Sequence, residues 1–145
     1  MTSARGIPSS GGETILVAED SDQVRAILSL ILEQSGYNVL AAGSGDATLR
    51  IAAAHPGPIH LLICDLNLPG MCGPQIAQQL LALRPGVRIL FMSGQSRAEA
   101  VRQGHVTHGH AYLEKPFSRD ELASQVSGVL AMPDGDELKD QAPAE

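Results

Sequence analysis

The sequence has no long apolar run, so nothing in it is suited to span a membrane. The opening residues MTSARGIPSSGG contain no apolar signal core, and secretion is not expected. Cysteine is scarce. Cys64 and Cys72 cannot build a disulfide framework, and the cytosol is the natural compartment for such a chain. There is no basic excess either. The net charge of −6 argues against a nucleic-acid-binding surface. Internal repeats and low-complexity blocks are also missing. With 145 residues there is room for one ordinary domain and not for two.

What remains is a globular balance, with 43% hydrophobic and 18% charged residues. The acidity is concentrated at the end: residues 132–145 carry −4, and residues 14–131 carry −2. Residues 1–13, rich in Ser, Gly and other small residues, read as a flexible leader, and residues 132–145 as an acidic, frayed tail. The domain is therefore expected over 14–131. With fourteen residues after 131, no fused output domain is expected within these 145 residues.

Between leader and tail, strand-like and helix-like patterns alternate. Thr14–Ala18 (TILVA) is a short apolar run ending at Glu19 and Asp20. Ser21 or Asp22 can cap the next helix, in which Val24, Ile27, Leu28, Ile31 and Leu32 recur at helical spacing. Gly36 suits its C′ position. Tyr37–Ala42 is a second strand. Ser44 caps a helix whose buried stripe is expected at Leu49, Ala52 and Ala53, and the HPGP run at 55–58 breaks it. Ile59–Cys64 is a third strand ending at Asp65. Pro74 opens a helix with Ile76, Leu80 and Leu83 inward. Val87–Met92 is a fourth strand ending at Ser93, and 95–104 is a weak helix. Ala111–Glu114 is a fifth strand before Lys115 and Pro116. Ser118 and Glu121 form a capping box for the last helix, with Phe117 and Leu122 placed as a hydrophobic staple and Val126, Val129 and Leu130 inward. Five strands alternating with helices predict an α/β fold, a parallel sheet doubly wound with helices on both faces.

In such folds the working site lies at the carboxyl ends of the strands. Those ends carry Glu19, Asp20, Asp65, Ser93 and Lys115. If strands 1, 3, 4 and 5 are adjacent, all five converge. Three carboxylates repel one another unless a cation compensates, and a hard divalent ion such as Mg²⁺ suits their oxygens. Lys115 and the Ser93 hydroxyl supply donors for an anion. A cation site, a lysine, a hydroxyl and a nucleophilic carboxylate are the parts needed for phosphoryl transfer to Asp.

The segments ILVAEDSD (15–22), LLICDLNLPGMCG (61–73), ILFMSG (89–94) and YLEKPF (112–117), in this order and spacing, resemble the receiver domain of two-component response regulators. The resemblance covers about 13–131 and is similar in detail to receivers of hybrid sensor histidine kinases. It implies a flavodoxin-like (βα)5 fold with strand order 2-1-3-4-5. On the resemblance Asp65 is the phosphoacceptor, and Glu19, Asp20, Asp65 and the backbone carbonyl of Asn67 hold Mg²⁺. Ser93 and Lys115 contact phosphoryl oxygens, and Ser93 with Tyr112 forms a switch that alters the helix 4/strand 5 surface. The partner implied is a histidine kinase or histidine phosphotransfer domain, with a downstream protein target and no nucleic acid. The chain is then a phosphoacceptor that assists its own phosphorylation and dephosphorylation, not a turnover enzyme, and it is either a stand-alone receiver or part of a hybrid kinase. Glu19 stands where the family more often has Asp. Its longer side chain touches the ion differently or acts through water, so Asp20 is the firmer ligand.

Other readings attach to the same residues. Tyr112 could equally be edge-strand packing. His105, His108 and His110 fall within six residues, but no nearby Cys, Asp or Glu completes a closed metal site, and they read as a solvated loop. An aspartyl-phosphate-forming metal-dependent phosphatase is an alternative, although such enzymes place the nucleophile after the first strand with a second Asp two residues on. Here Asp65 follows the third strand and Asn67 occupies that place. A pseudo-receiver that is never phosphorylated is the other alternative, opposed by the intact Asp65, Ser93 and Lys115.

Overall fold

The computed structural model describes residues 12–107 and 109–132. The leader and tail expected from composition, and His108, lie largely or wholly outside them. Two residues assigned to those ends are tied into the domain. The Glu13 carbonyl accepts the Asn38 N–H at 2.9 Å. The Met132 carbonyl takes two bonds from the Arg88 guanidinium at 2.8 and 3.0 Å.

The main elements are β1 (Thr14–Ala18), α1 (Asp22–Gln34), β2 (Asn38–Ala42), α2 (Gly45–Ala54), β3 (Leu61–Asp65), α3 (Gly73–Leu83), β4 (Arg88–Ser93), α4 (Arg97–Arg102), β5 (Ala111–Glu114) and α5 (Arg119–Leu130). The five strands form one parallel sheet in the order β2-β1-β3-β4-β5, the doubly wound order expected. A two-residue antiparallel hairpin, Asn67–Leu68 with Met71–Cys72, was not anticipated and lies between β3 and α3.

Alternation along the strands divides the core. Ile15 and Val17 of β1 join Leu61 and Ile63 of β3 under α1 and α5, where Leu28, Leu32, Leu122 and Val126 are buried. Leu16 and Ala18 join Leu62 and Cys64 on the other face, with Ile76 and Leu80 of α3 and Ala52 of α2. A strand buried on both faces needs near-continuous apolar sequence, and β1 and β3 supply it.

Local signals set the ends. Ser21, Ser44, Ser96 and Ser118 each cap a helix by accepting a backbone N–H. The predicted capping box of Ser118 and Glu121 is formed. Gly36 follows α1 with φ +98°, a conformation that glycine adopts without a Cβ penalty. Arg84 fastens the turn after α2, donating to the Ala52, His55 and Gly57 carbonyls at 2.7 to 3.0 Å.

Three stripe assignments are corrected. Ile27 is 55% exposed and Leu83 51% exposed, and Ala53 is also at the surface. Each helix meets the sheet along a narrower strip than its apolar residues span, so the flank of the stripe stays outside. In α2 the strip is completed by Thr48, whose buried hydroxyl donates to the Ser44 carbonyl at 2.7 Å. α4 is short, as its sparse apolar content suggested, yet Ala100 and Val106 anchor its segment in the core.

His110 is not a solvated loop histidine. Its ring packs edge-on against Phe91, centroids 5.3 Å apart, and its Nδ1 accepts the Thr107 N–H at 3.0 Å. Burial, and then the Arg97 charge, hold its pKa below the usual 6.5. A charged imidazole would also lose the Thr107 bond, because both nitrogens become donors. The folded pKa is the lower one, so this group takes nothing from stability above pH 6.5. As pH falls through 6.5 the unfolded chain gains the proton first, and stability drops. Urea midpoints measured from pH 7.5 down to about 5.5 should therefore fall less steeply for His110→Asn than for wild type; equal slopes would refute the assignment.

Candidate functional site

Strand register gathers the chemical groups. Ala18 pairs with Cys64, Asp65 with Met92, and Ser93 with Glu114. Glu19, Asp65, Ser93 and Lys115 therefore leave four adjacent strands within about two residues of one row. Their strands have spent their backbone donors and acceptors in the sheet, and the side chains past the last pair face an open end.

Lys115 is the centre of the cluster. Its ammonium donates to Asp65 Oδ2 at 2.6 Å and to Glu19 Oε1 at 2.8 Å. Burial acts against its charge, but the bonds to Asp65 and Glu19 outweigh it and the pKa is raised. Glu19 is 1% exposed, and burial pushes its carboxyl pKa up. The Lys115 bond and the Ser21 N–H on Oε2, 2.9 Å away, oppose that rise, while the Asp65 charge adds to it. Asp65 Oδ1 accepts the Asn67 N–H at 2.9 Å. Asp20 is exposed, and its carboxylate makes no hydrogen bond or ion pair among the described residues.

Glu19, Asp20 and Asp65 each bring a carboxylate oxygen within 4.8 Å of the others. Two buried carboxylates share one ammonium, and the third has no partner, so the cluster remains short of positive charge. An all-oxygen set of this kind fits a hard divalent cation such as Mg²⁺.

On the other side of the site, the Ser93 hydroxyl accepts the Gln95 N–H at 3.1 Å, which leaves its proton free to donate. Tyr112 is buried, and its hydroxyl donates to the Gln95 carbonyl at 2.8 Å. Burial raises the phenol pKa, and the neighbouring Ser93 hydroxyl works against that rise. The Arg97 guanidinium lies 5.8 Å from the Tyr112 ring centroid. Tyr112 is thus held in a buried position in this structure, with the Gln95 carbonyl as the partner of its hydroxyl.

Several contributors escaped the sequence reading. Arg25 donates to the Glu19 carbonyl at 2.8 Å and pairs with Asp22. Gln95 links Ser93, Tyr112 and, through its side chain, Gln103 and His105. Nothing in the types Arg and Gln marks such roles. Gly73 carried a signal, as a glycine at the start of a helix one residue before Pro74. A Cβ there would sit 2.6 Å from the Asp65 carbonyl oxygen and 3.0 Å from Leu66 Cα. Cys64 is buried, and that burial foremost pushes its thiol pKa far up; Cys72 is exposed.

The chain matches the model of the response regulator receiver domain over residues 15–127. It is 32% identical over 125 residues to the sensor kinase CckA of Brucella abortus, covering 86% of this chain and 13% of that kinase. The receiver domain of the hybrid histidine kinase CckA superposes with TM-score 0.68 at 32% identity, covering 81% of this chain and 98% of that domain. The response regulator TrrA from Thermotoga maritima, solved in complex with Mg²⁺ and BeF, superposes with TM-score 0.65 at 25% identity, over 81% and 98% of the two chains. No helix among the described residues is long and apolar enough to cross a membrane.

The Gly73 contact gives a direct test. Both crowding groups are backbone, so neither can swing away, and Gly73→Ala should destabilise the fold by about 1–3 kcal/mol, the range of overpacked sites. The urea midpoint should drop accordingly, and an unchanged midpoint would show that the loop after β3 yields freely.

Proposed function

The chain belongs to the response regulator receiver domain family, and on that premise we propose that it accepts a phosphoryl group on Asp65 from the phosphohistidine of a histidine kinase or a histidine phosphotransfer domain. The observation that carries this reading is the Lys115 ammonium on Asp65 Oδ2, at 2.6 Å, inside a cluster of acids. Similarity to a hybrid-kinase receiver across nearly that whole domain favours a receiver of this type, working in the cytoplasm.

An Asp65 carboxylate oxygen attacks phosphorus in line. The bond from phosphorus to the imidazole nitrogen breaks, the imidazole leaves with its electron pair, and an acyl phosphate forms. Lys115 neutralises charge on the phosphoryl oxygens, and the Ser93 hydroxyl donates to one of them. Asp20, Asp65 and the Asn67 backbone carbonyl, with Glu19 beside them, would hold Mg²⁺. When bound, that ion supplies further neutralisation of phosphoryl charge. The same groups assist loss of the phosphoryl group to water, so the protein is a phosphoacceptor and not a turnover enzyme.

The signal leaves through Ser93. Its free hydroxyl proton turns to the phosphoryl group. Gln95 holds both Ser93 and Tyr112, so the loop into α4 and the exposed side of β5 adjust together. A downstream protein reads that surface.

Incubation with acetyl phosphate and Mg²⁺ tests the reading. Wild-type protein should gain one acid-labile phosphoryl adduct by intact-mass measurement, and Asp65→Asn, nearly isosteric, should fold as well and gain none. Continuous release of phosphate would point to a phosphatase, and an unmodified wild type to a pseudo-receiver; either result overturns the proposal.

A further inference from the structure

Backbone pairing stops one residue before Asp20. The last rung between β1 and β2 is the Glu19 N–H on the Ala42 carbonyl, at 3.0 Å. β2 ends at Ala42, and the Glu19 carbonyl takes its hydrogen bond from a side chain instead. Arg25, in the first turn of α1, donates to that oxygen through Nη1 at 2.8 Å. Its Nη2 pairs with Asp22, so one guanidinium grips the chain on both sides of Asp20. The Arg25 side chain is only 24% exposed, and a charged donor on a carbonyl shielded from water makes a strong bond.

Gly43 supplies the space. Its φ is not positive, so the backbone there does not call for glycine. A Cβ at 43 would instead stand 3.1 Å from Arg25 Nη1 and 3.7 Å from its Cζ. The first distance is tighter than ordinary contact, and a side chain at 43 would push the guanidinium off the Glu19 carbonyl.

We propose that Arg25 is a positioning residue for Asp20. It fixes the peptide that joins residues 19 and 20, and so aims the Asp20 carboxylate at the cation. This rests on the reading in which Asp20 holds Mg²⁺. Asp20 is exposed and its carboxylate has no partner among the described residues, so its backbone is what orients it before an ion arrives. Groups standing behind a metal ligand set affinity in this way. The planar fork of arginine reaches two acceptors at once, which a lysine ammonium on a flexible stem does not match. Charge alone predicts the opposite effect. A cation beside an acidic cluster repels a divalent ion, so removing it would by itself tighten Mg²⁺ binding.

The test uses Arg25→Ala, Arg25→Lys and Gly43→Ala in the full chain. Each is titrated with Mg²⁺ by melting temperature, and labelled with acetyl phosphate over the same Mg²⁺ range. Arg25→Ala should need about tenfold more Mg²⁺ for half of its thermal shift, the scale of losing a group behind a metal ligand. Its labelling should be slow at the wild-type half-saturation and recover as Mg²⁺ is raised. Arg25→Lys should recover part of the affinity. Gly43→Ala keeps the charge and displaces the guanidinium, and should raise the Mg²⁺ requirement by a smaller factor. A lower melting temperature without Mg²⁺, with the half-saturation unchanged, would reduce Arg25 to a structural contact and overturn the proposal. Tighter Mg²⁺ binding by Arg25→Ala would overturn it in favour of charge. If Arg25→Ala does not fold, the other two variants decide, and unchanged half-saturation in both would overturn the proposal. A wild type with no Mg²⁺-dependent shift would sink the metal reading of Asp20 itself, whereas a wild-type response in Arg25→Ala would sink only the role given to Arg25.

Discussion

Two buried carboxylates sharing one ammonium is the arrangement on which the rest of the site depends. Glu19 and Asp65 are each almost fully buried, and neither would sit beside the other ionised without Lys115 between them. A lysine from the far edge of the sheet can reach both only because β3 and β4 hold the intervening register. The sheet, in turn, holds that register through strands that are apolar on both faces. Charge compensation at the rim and hydrophobic packing in the body are therefore parts of one constraint. The compensation is also incomplete. One ammonium against three carboxylates leaves the pocket electronegative, which draws a cation, and only with a cation in place does it favour an incoming anion.

The cluster divides into a fixed half and an adjustable half. Asp65 is held by its strand, by the Asn67 N–H on its side chain and by the close approach of Gly73 to its carbonyl. On the proposed phosphoacceptor role, attack in line needs a nucleophile kept within a fraction of an ångström of its place, and these contacts suit that need. Ser93, Gln95, Tyr112 and Arg97 are joined differently, by single side-chain bonds and a ring contact near a six-residue helix. Each of those bonds can be exchanged for another without unfolding a strand. On the proposed function, reaction geometry and signalling surface would share Ser93 and otherwise draw on separate contacts.

The legible features were those with strong local chemistry. β1 and β5 were readable to the residue, because TILVA and AYLE are short apolar runs cut off by charged residues. The serine caps and the box at Ser118 follow from hydrogen bonding within four residues, so sequence alone carries them. The strand-end side chains were legible because a parallel sheet has only one end where such groups can meet. What depended on tertiary fit was not. Periodicity placed Ile27, Ala53 and Leu83 on the right helices but could not say how wide a strip the sheet would cover. Thr48 looked like a polar surface residue until the Ser44 carbonyl gave its hydroxyl a partner. His110 looked solvated for the same reason, since Phe91 and Thr107 are distant or unremarkable in sequence.

The same limit explains how the two acids after β1 came to be ranked but not given distinct roles. In sequence, Glu19 and Asp20 are neighbours of like charge, and the extra methylene suggested only a weaker metal ligand. In the fold they point into different surroundings. Glu19 is buried against Lys115 and Asp20 is exposed, although their carboxylate oxygens lie within 4.8 Å of each other. The pair is therefore asymmetric by construction. One acid is committed to the lysine, and the other is available to a cation from solvent. Such a site holds its ammonium without any metal, and it keeps an open carboxylate while the lysine is engaged.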